Sequence, residues 1–140
     1  MIFGVGTDIV RVARMQENLE RYGDKFAPRI LTNNELQDYH TAKQPAHFLA
    51  KRFAAKEATA KAMGTGFSHG LSLKHIGVGH DKNGKPVLEY YGRALELLRE
   101  LGIGAGYVSI ADEQDHAVAF VTLLSNASDP VIGMAHPANP

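Results

Sequence analysis

The sequence predicts a single α+β domain, a small antiparallel sheet packed against helices. Three patterns carry that expectation: an alternating strand at the N-terminus, one long helical run near the middle, and two strand pairs with polar turns after it. A length of 140 residues fits one domain and leaves little room for a second. With 44% hydrophobic residues the chain can build a core. A chain of this size buries roughly 68–70% of its unfolded surface.

Residues 2–10 read as a strand, with Phe3, Val5, Thr7 and Ile9 on one face and Ile2, Gly4, Gly6, Asp8 and Val10 on the other. Residues 11–22 read as a helix with Val12, Met15, Leu19 and Tyr22 along one side. Thr32-Asn33-Asn34-Glu35 is a capping-box pattern that opens a helix to about residue 42. Pro45 suits a first helical turn, and the Ala-, Lys- and Leu-rich run from there to Met63 is the longest helical signal. Gly64 stops it as a left-handed cap, and residues 64–70 form a loop. Residues 74–80 and 85–90 read as strands joined by the Asp81-Lys82-Asn83-Gly84 turn. Residues 91–101 read as a helix with Leu95, Leu98 and Leu101 inward and Gly102 as its stop. Tyr107–Ala111 and His116–Leu124 are strands around a polar turn. The domain is expected over 1–124, and Ser125–Pro140, with three prolines and no periodicity, as a flexible tail.

Composition excludes several classes of function. There is no Cys, so disulfides, thiolate metal sites and thiol nucleophiles are absent. Lys and Arg number 15 and so do Asp and Glu, which argues against a generic nucleic-acid binder. No apolar stretch is long enough to span a membrane, and the N-terminus lacks the pattern of a signal peptide. The expected location is the cytoplasm. The balance is uneven along the chain. In residues 41–66, Lys43, Lys51, Arg52, Lys56 and Lys61 face only Glu57, whereas acids dominate residues 94–115.

On a helical wheel at about 100° per residue, Leu49, Phe53, Ala60 and Met63 define the core stripe of the long helix. Lys56 falls inside that stripe, Glu57 at its edge and Lys61 one position further round. Two readings of these charges stand. Lys56 snorkels while Glu57 and Lys61 form an i,i+4 surface pair, or the charges are paired or serve a ligand. Asp8 also has two readings. It caps the following helix, or it joins Glu57 around a hard cation such as magnesium. In the second case Lys61, Arg52 and the Gly64–Gly66 turn supply the phosphate side.

These residues resemble a known family. Val5-Gly6-Thr7-Asp8-Ile9-Val10 is similar to the first signature of the holo-acyl-carrier-protein synthases. Phe48–Gly66, with Lys56-Glu57-Ala58, Lys61-Ala62 and Gly64-Thr65-Gly66, resembles the second, and Asn83-Gly84-Lys85-Pro86 matches the turn that follows. The resemblance covers about residues 1–124 and is carried chiefly by the second block. It implies the 4′-phosphopantetheinyl transferase fold and transfer of 4′-phosphopantetheine from coenzyme A to a serine of apo-acyl carrier protein, releasing 3′,5′-ADP. It further implies that Asp8 and Glu57 hold Mg2+ and that Glu57 helps deprotonate the serine, directly or through a bound water. Lys61 would bind the phosphoryl group and stabilise the leaving oxygen. Arg52, Gly64, Thr65 and Gly66 would line the coenzyme A site with Lys61, and Pro86 would lie near the nucleotide. A homotrimer with shared active sites is implied too. One departure is visible: many relatives have Ser-His where this chain has Ala111-Asp112, so that histidine's role is not transferred to Asp112.

The first helix carries Arg11, Arg14 and Arg21 beside its apolar side, and Lys25 follows on if the helix continues. Read alone, this is an ordinary solvated face. With an acidic carrier protein as partner, Arg14 and Arg21 become docking residues, and Met15 and Phe26 their apolar companions. A dinucleotide site is excluded because Gly64-Thr65-Gly66 follows a helix and not a strand, and no P-loop motif is present. The seven histidines show no metal-ligand spacing. The alternative is a non-catalytic module that binds coenzyme A or an acidic protein, which has no use for two metal-binding carboxylates.

Overall fold

A computed structural model describes residues 1–126. The elements run β1 (Ile2–Arg11), α1 (Val12–Tyr22), α2 (Ala27–Ile30), α3 (Asn33–Tyr39), α4 (Pro45–Met63), β2 (Ile76–His80), β3 (Pro86–Tyr90), α5 (Arg93–Leu101), β4 (Ile103–Asp112) and β5 (His116–Ser125). Short 3-10 turns precede α2 and β2. Three strands form an antiparallel sheet in the order β1-β5-β4, and β2 and β3 form a separate hairpin. The architecture is the α+β arrangement expected from the sequence.

Helix α4 is the centre of the molecule. Most of its 19 residues are buried, on several sides and not along one stripe. Its small side chains explain this, since Ala54, Ala55, Ala58 and Ala62 let neighbouring backbones approach closely. On the sheet side, Gly4 and Gly6 of β1 lie against it. A Cβ on Gly4 would be driven into the Ala62 carbonyl oxygen, and one on Gly6 into that of Ala58. The glycine face of β1 is therefore the inner face, and Val5 and Ile9 point outward. The inner sheet face continues with Ala117, Ala119, Val121 and Leu123 of β5, all fully buried.

Local chemistry accounts for the element ends. The Thr32 hydroxyl accepts the Glu35 amide while the Glu35 carboxylate accepts the Thr32 amide, so the capping box is complete. Gly64 caps α4 at φ 83°. The β2–β3 turn closes on Asp81, whose Oδ1 accepts the amides of Asn83 and Lys85. Several boundaries differ from expectation. Helix α3 ends at Tyr39, three residues short of residue 42. In α5 the buried residues are Ala94 and Leu97; Leu98 and Leu101 pack against the core as expected, whereas Leu95 is 44% exposed. Ser125 still belongs to β5, paired with Ile103, so the expected tail boundary falls inside a strand. The remainder of that tail, residues 127–140, lies outside the described residues. Among the described residues no helix is long and apolar enough to cross a membrane.

Candidate active site

The inner face of β1 delivers Asp8 to the flank of α4. There Lys61 Nζ lies 3.0 Å from Asp8 Oδ1 and donates also to the Thr7 carbonyl at 3.1 Å. Asp8 therefore meets α4 and does not cap α1, whose N-cap is Arg11 without a side-chain bond. Lys61 likewise takes Asp8 as its ion-pair partner, where an i,i+4 pair with Glu57 was one expectation. Glu57 stands in the same field. Burial pushes its carboxyl above the ordinary range, and the Asp8 charge pushes it further. Lys61 and Arg14 act in the opposite sense. Two carboxylates, of which Asp8 raises the proton affinity of Glu57, are a donor set that a hard divalent cation would relieve. The pair suits magnesium, which typically takes one or two protein carboxylates and fills its remaining positions with water and phosphate oxygens. Among the described residues no group of three or more His, Cys, Asp or Glu could hold a metal by itself.

The chain leaves α4 beside this cluster. Gly64 and Gly66 have φ of 83° and 58°, and open space surrounds both, so conformation and not crowding calls for glycine there. The Gly66 amide bonds back to the Ala60 carbonyl at 3.1 Å, and the Thr65 hydroxyl donates to the Gly66 carbonyl at 2.8 Å. This is the negative end of the helix dipole. An anion here depends on Lys61 and the turn, with no help from the helix. Further along the loop, His69 holds φ 58°, uncommon for a residue with a side chain, and Arg93 Nε anchors its carbonyl at 2.7 Å. Nothing in the linear order of residues marks that anchor.

Arg52 and Pro86 meet elsewhere, in a cleft of about 370 Å³ that is also lined by Phe48, Lys51, His80 and Asp112. Arg52 is nearly buried. Its Nη1 donates to the Val78 carbonyl at 3.2 Å and to Glu35 Oε2 at 3.4 Å, and its guanidinium lies 4.3 Å from the centre of the Phe48 ring. From Arg52 to Lys61 is nine residues of helix, roughly 14 Å. The expected site residues thus fall in two groups, Asp8–Glu57–Lys61–Gly66 at one end of α4 and Arg52–Pro86 towards the other.

Lys56 is fully buried and does not snorkel. Its Nζ donates to Glu35 Oε1 at 2.7 Å, to the Leu73 carbonyl at 3.1 Å and to the Ile76 carbonyl. Sequence reasoning marked Lys56 as misplaced but missed its partner, which is 21 residues away on α3.

On α1, Arg14 and Arg21 are exposed. Arg14 lies over the Phe53 ring at 5.2 Å and Arg21 over Tyr22 at 5.4 Å. Met15 and Phe26 correct the expectation. They are 1% and 9% exposed, packed into the core, and offer no apolar surface to a partner. Tyr22, stacked on Phe26, is the exposed aromatic of this face.

A family model described as the 4′-phosphopantetheinyl transferase superfamily matches residues 4–121. A holo-[acyl-carrier-protein] synthase of Nitrosococcus oceani is 56% identical over 135 residues, 96% of this chain and 88% of that protein. The crystal structure of the holo-[acyl-carrier-protein] synthase from Neisseria meningitidis superposes with a TM-score of 0.84 at 48% identity, covering 89% of this chain and all of that one. A holo-(acyl-carrier-protein) synthase from Bacillus anthracis, solved in complex with CoA (3′,5′-ADP), superposes with a TM-score of 0.75 at 38% identity, covering 90% of this chain and 99% of that one. The chain belongs to the 4′-phosphopantetheinyl transferase superfamily, within its holo-[acyl-carrier-protein] synthase family.

Proposed function

We propose that this chain transfers the 4′-phosphopantetheine group of coenzyme A to a serine of apo-acyl carrier protein and releases 3′,5′-ADP in a Mg2+-dependent reaction. The convergence of Asp8, Glu57 and Lys61 beside the Gly64–Gly66 turn carries this reading. Phosphoryl transfer needs positioning and charge neutralisation more than covalent chemistry from the protein. Asp8 and Glu57 would hold the magnesium, which when bound supplies neutralisation at a pyrophosphate. Glu57 accepts the serine proton. The serine oxygen bonds to phosphorus as the bond to the 3′,5′-ADP oxygen breaks. Lys61 steadies that leaving oxygen. Its side chain is half exposed and long, so Nζ can pass from Asp8 to a phosphoryl oxygen.

The Arg52–Pro86 cleft suits the nucleotide end of coenzyme A, with Lys51 adding positive charge. Gly64, Thr65 and Gly66 suit the pyrophosphate end. Arg14 and Arg21 suit an acidic carrier protein, with Arg14 close enough to act on Glu57. The outer sheet face supports a homotrimer. Val5, Ile9, Tyr107, Val118 and Phe120 are exposed there, with Ile9 at 66% and Phe120 at 50%, and Thr7, Ser109 and Thr122 between them are uncharged. Such an assembly would let one subunit's Asp8–Glu57–Lys61 group face a neighbour's cleft. The cytoplasmic location belongs to the same reading.

Release of 3′,5′-ADP from coenzyme A and apo-carrier, followed by chromatography, tests the reaction. Release should require carrier, stop with EDTA and return with excess Mg2+. Equal release in EDTA would remove the metal from the reading.

A further inference from the structure

Glu35 is a fully buried carboxylate with four donors on it. Oε1 accepts the Thr32 amide at 2.9 Å and Lys56 Nζ at 2.7 Å; Oε2 accepts the Val78 amide at 2.9 Å and Arg52 Nη1 at 3.4 Å. One anion thus joins α3, α4 and β2, and two cations share it. Buried ion clusters are weak contributors to stability, since desolvation offsets most of the attraction. This cluster has a second consequence, at the cleft.

Arg52 is constrained three ways. Nη1 is committed to Glu35 and to the Val78 carbonyl, and the guanidinium plane rests on Phe48. Among the described residues Nε and Nη2 have no hydrogen-bond partner. That leaves one edge of a fixed planar fork for a phosphate, the geometry that arginine recognises best. Lys56 makes the short contact to Glu35 and Arg52 the long one, so most of the carboxylate's charge is answered by Lys56 and Arg52 keeps its own. Glu35 also holds the Val78 amide, on the strand whose end, His80, pairs with Pro86 across the hairpin. One side chain thus bonds to two of the elements that line the cleft, α4 and β2, while Ile110 and Asp112 of β4 form the remaining wall.

We propose that Glu35, balanced by Lys56, is a positioning residue for coenzyme A, fixing Arg52 and the β2–β3 hairpin so that one edge of the guanidinium is presented to a phosphate of the substrate. The inference rests on the coenzyme A reading of the Arg52–Pro86 cleft. A preorganised side chain spends less of its interaction on being ordered, so loosening it costs affinity without removing a contact group.

Titration calorimetry of the full-length protein with coenzyme A and with 3′,5′-ADP, without metal, tests this together with the Michaelis constants. Arg52→Ala is the reference and should weaken coenzyme A about tenfold or more. Glu35→Gln and the charge-balanced Glu35→Gln/Lys56→Met should each weaken it about fivefold, while KM for apo-carrier stays within about twofold. A folded double variant that binds coenzyme A normally, where Arg52→Ala does not, overturns the positioning role alone. Normal binding by Arg52→Ala overturns the cleft reading and this inference with it. If neither Glu35 variant folds, Lys56→Met decides. It leaves Glu35 to neutralise Arg52 and should weaken coenzyme A about threefold; unchanged affinity overturns the proposal.

Discussion

Glu57 shows what a partly buried charge costs at the scale of one residue. Burial first, and Asp8 second, push its carboxyl above the ordinary value. The folded protein therefore holds this proton more tightly than the unfolded one. The stability linked to Glu57 is fully present below the ordinary carboxylate range and is lost as pH rises through the raised folded value. At neutral pH the ionised side chain is a net cost. Glu57→Gln should raise the Tm of the metal-free protein at pH 7, with the gain fading by about pH 4. A lower Tm at pH 7, measured by calorimetry, would contradict this. Single residues also mark how far the sequence could be read. Lys56 stood out as a charge on a core stripe, but its partner Glu35 was hidden. The capping box explained Glu35 locally, and nothing in linear order shows that its second oxygen meets β2 and Arg52. Met15 and Phe26 failed for the opposite reason. Proximity to a basic face in sequence does not separate the inner side of a helix from the outer, and both residues are core.

Elements with a chemical signature at their ends were the legible ones. Thr32 with Glu35, Gly64 at φ 83° and the Asp81–Gly84 turn each fix their boundary by a hydrogen bond or a backbone conformation. Helix α2 was missed because its N-cap, Phe26, offers no side-chain bond and its four residues are too few for periodicity. Strand β1 was found, but its packing against α4 was not, since glycine normally marks a turn or bulge in a strand. Here it marks the contact with the helix that carries Glu57 and Lys61. Gly6→Ala should therefore lower stability by about 3 kcal/mol, because the new methyl meets helix backbone that cannot rotate aside. The midpoint of urea unfolding reads this directly. An unchanged midpoint would mean that α4 does not sit on β1 this closely.

At the scale of the whole molecule, two surfaces carry the remaining expectations. The apolar patch on the outer face of the sheet calls for a partner, and a second and third copy of the chain satisfy it in the proposed trimer. Sedimentation at working concentration should give about three times the 15.2 kDa chain mass, and Phe120→Lys should shift it towards the monomer. A 15.2 kDa species for the unaltered protein would contradict the assembly. The other surface is the end of α4, where a neutral chain concentrates its charges. In the proposed reaction, cations along the helix would bring phosphates to Asp8 and Glu57, and α1 offers an arginine, Arg14, beside them. The central claim is that this group performs the transfer. The most direct test is intact-mass measurement of apo-carrier protein after incubation with coenzyme A, Mg2+ and either the unaltered chain or folded Glu57→Gln. The unaltered chain should convert the carrier completely to its phosphopantetheine adduct, and the variant should be slower by at least about a hundredfold. Conversion by Glu57→Gln at a near-normal rate would contradict the account.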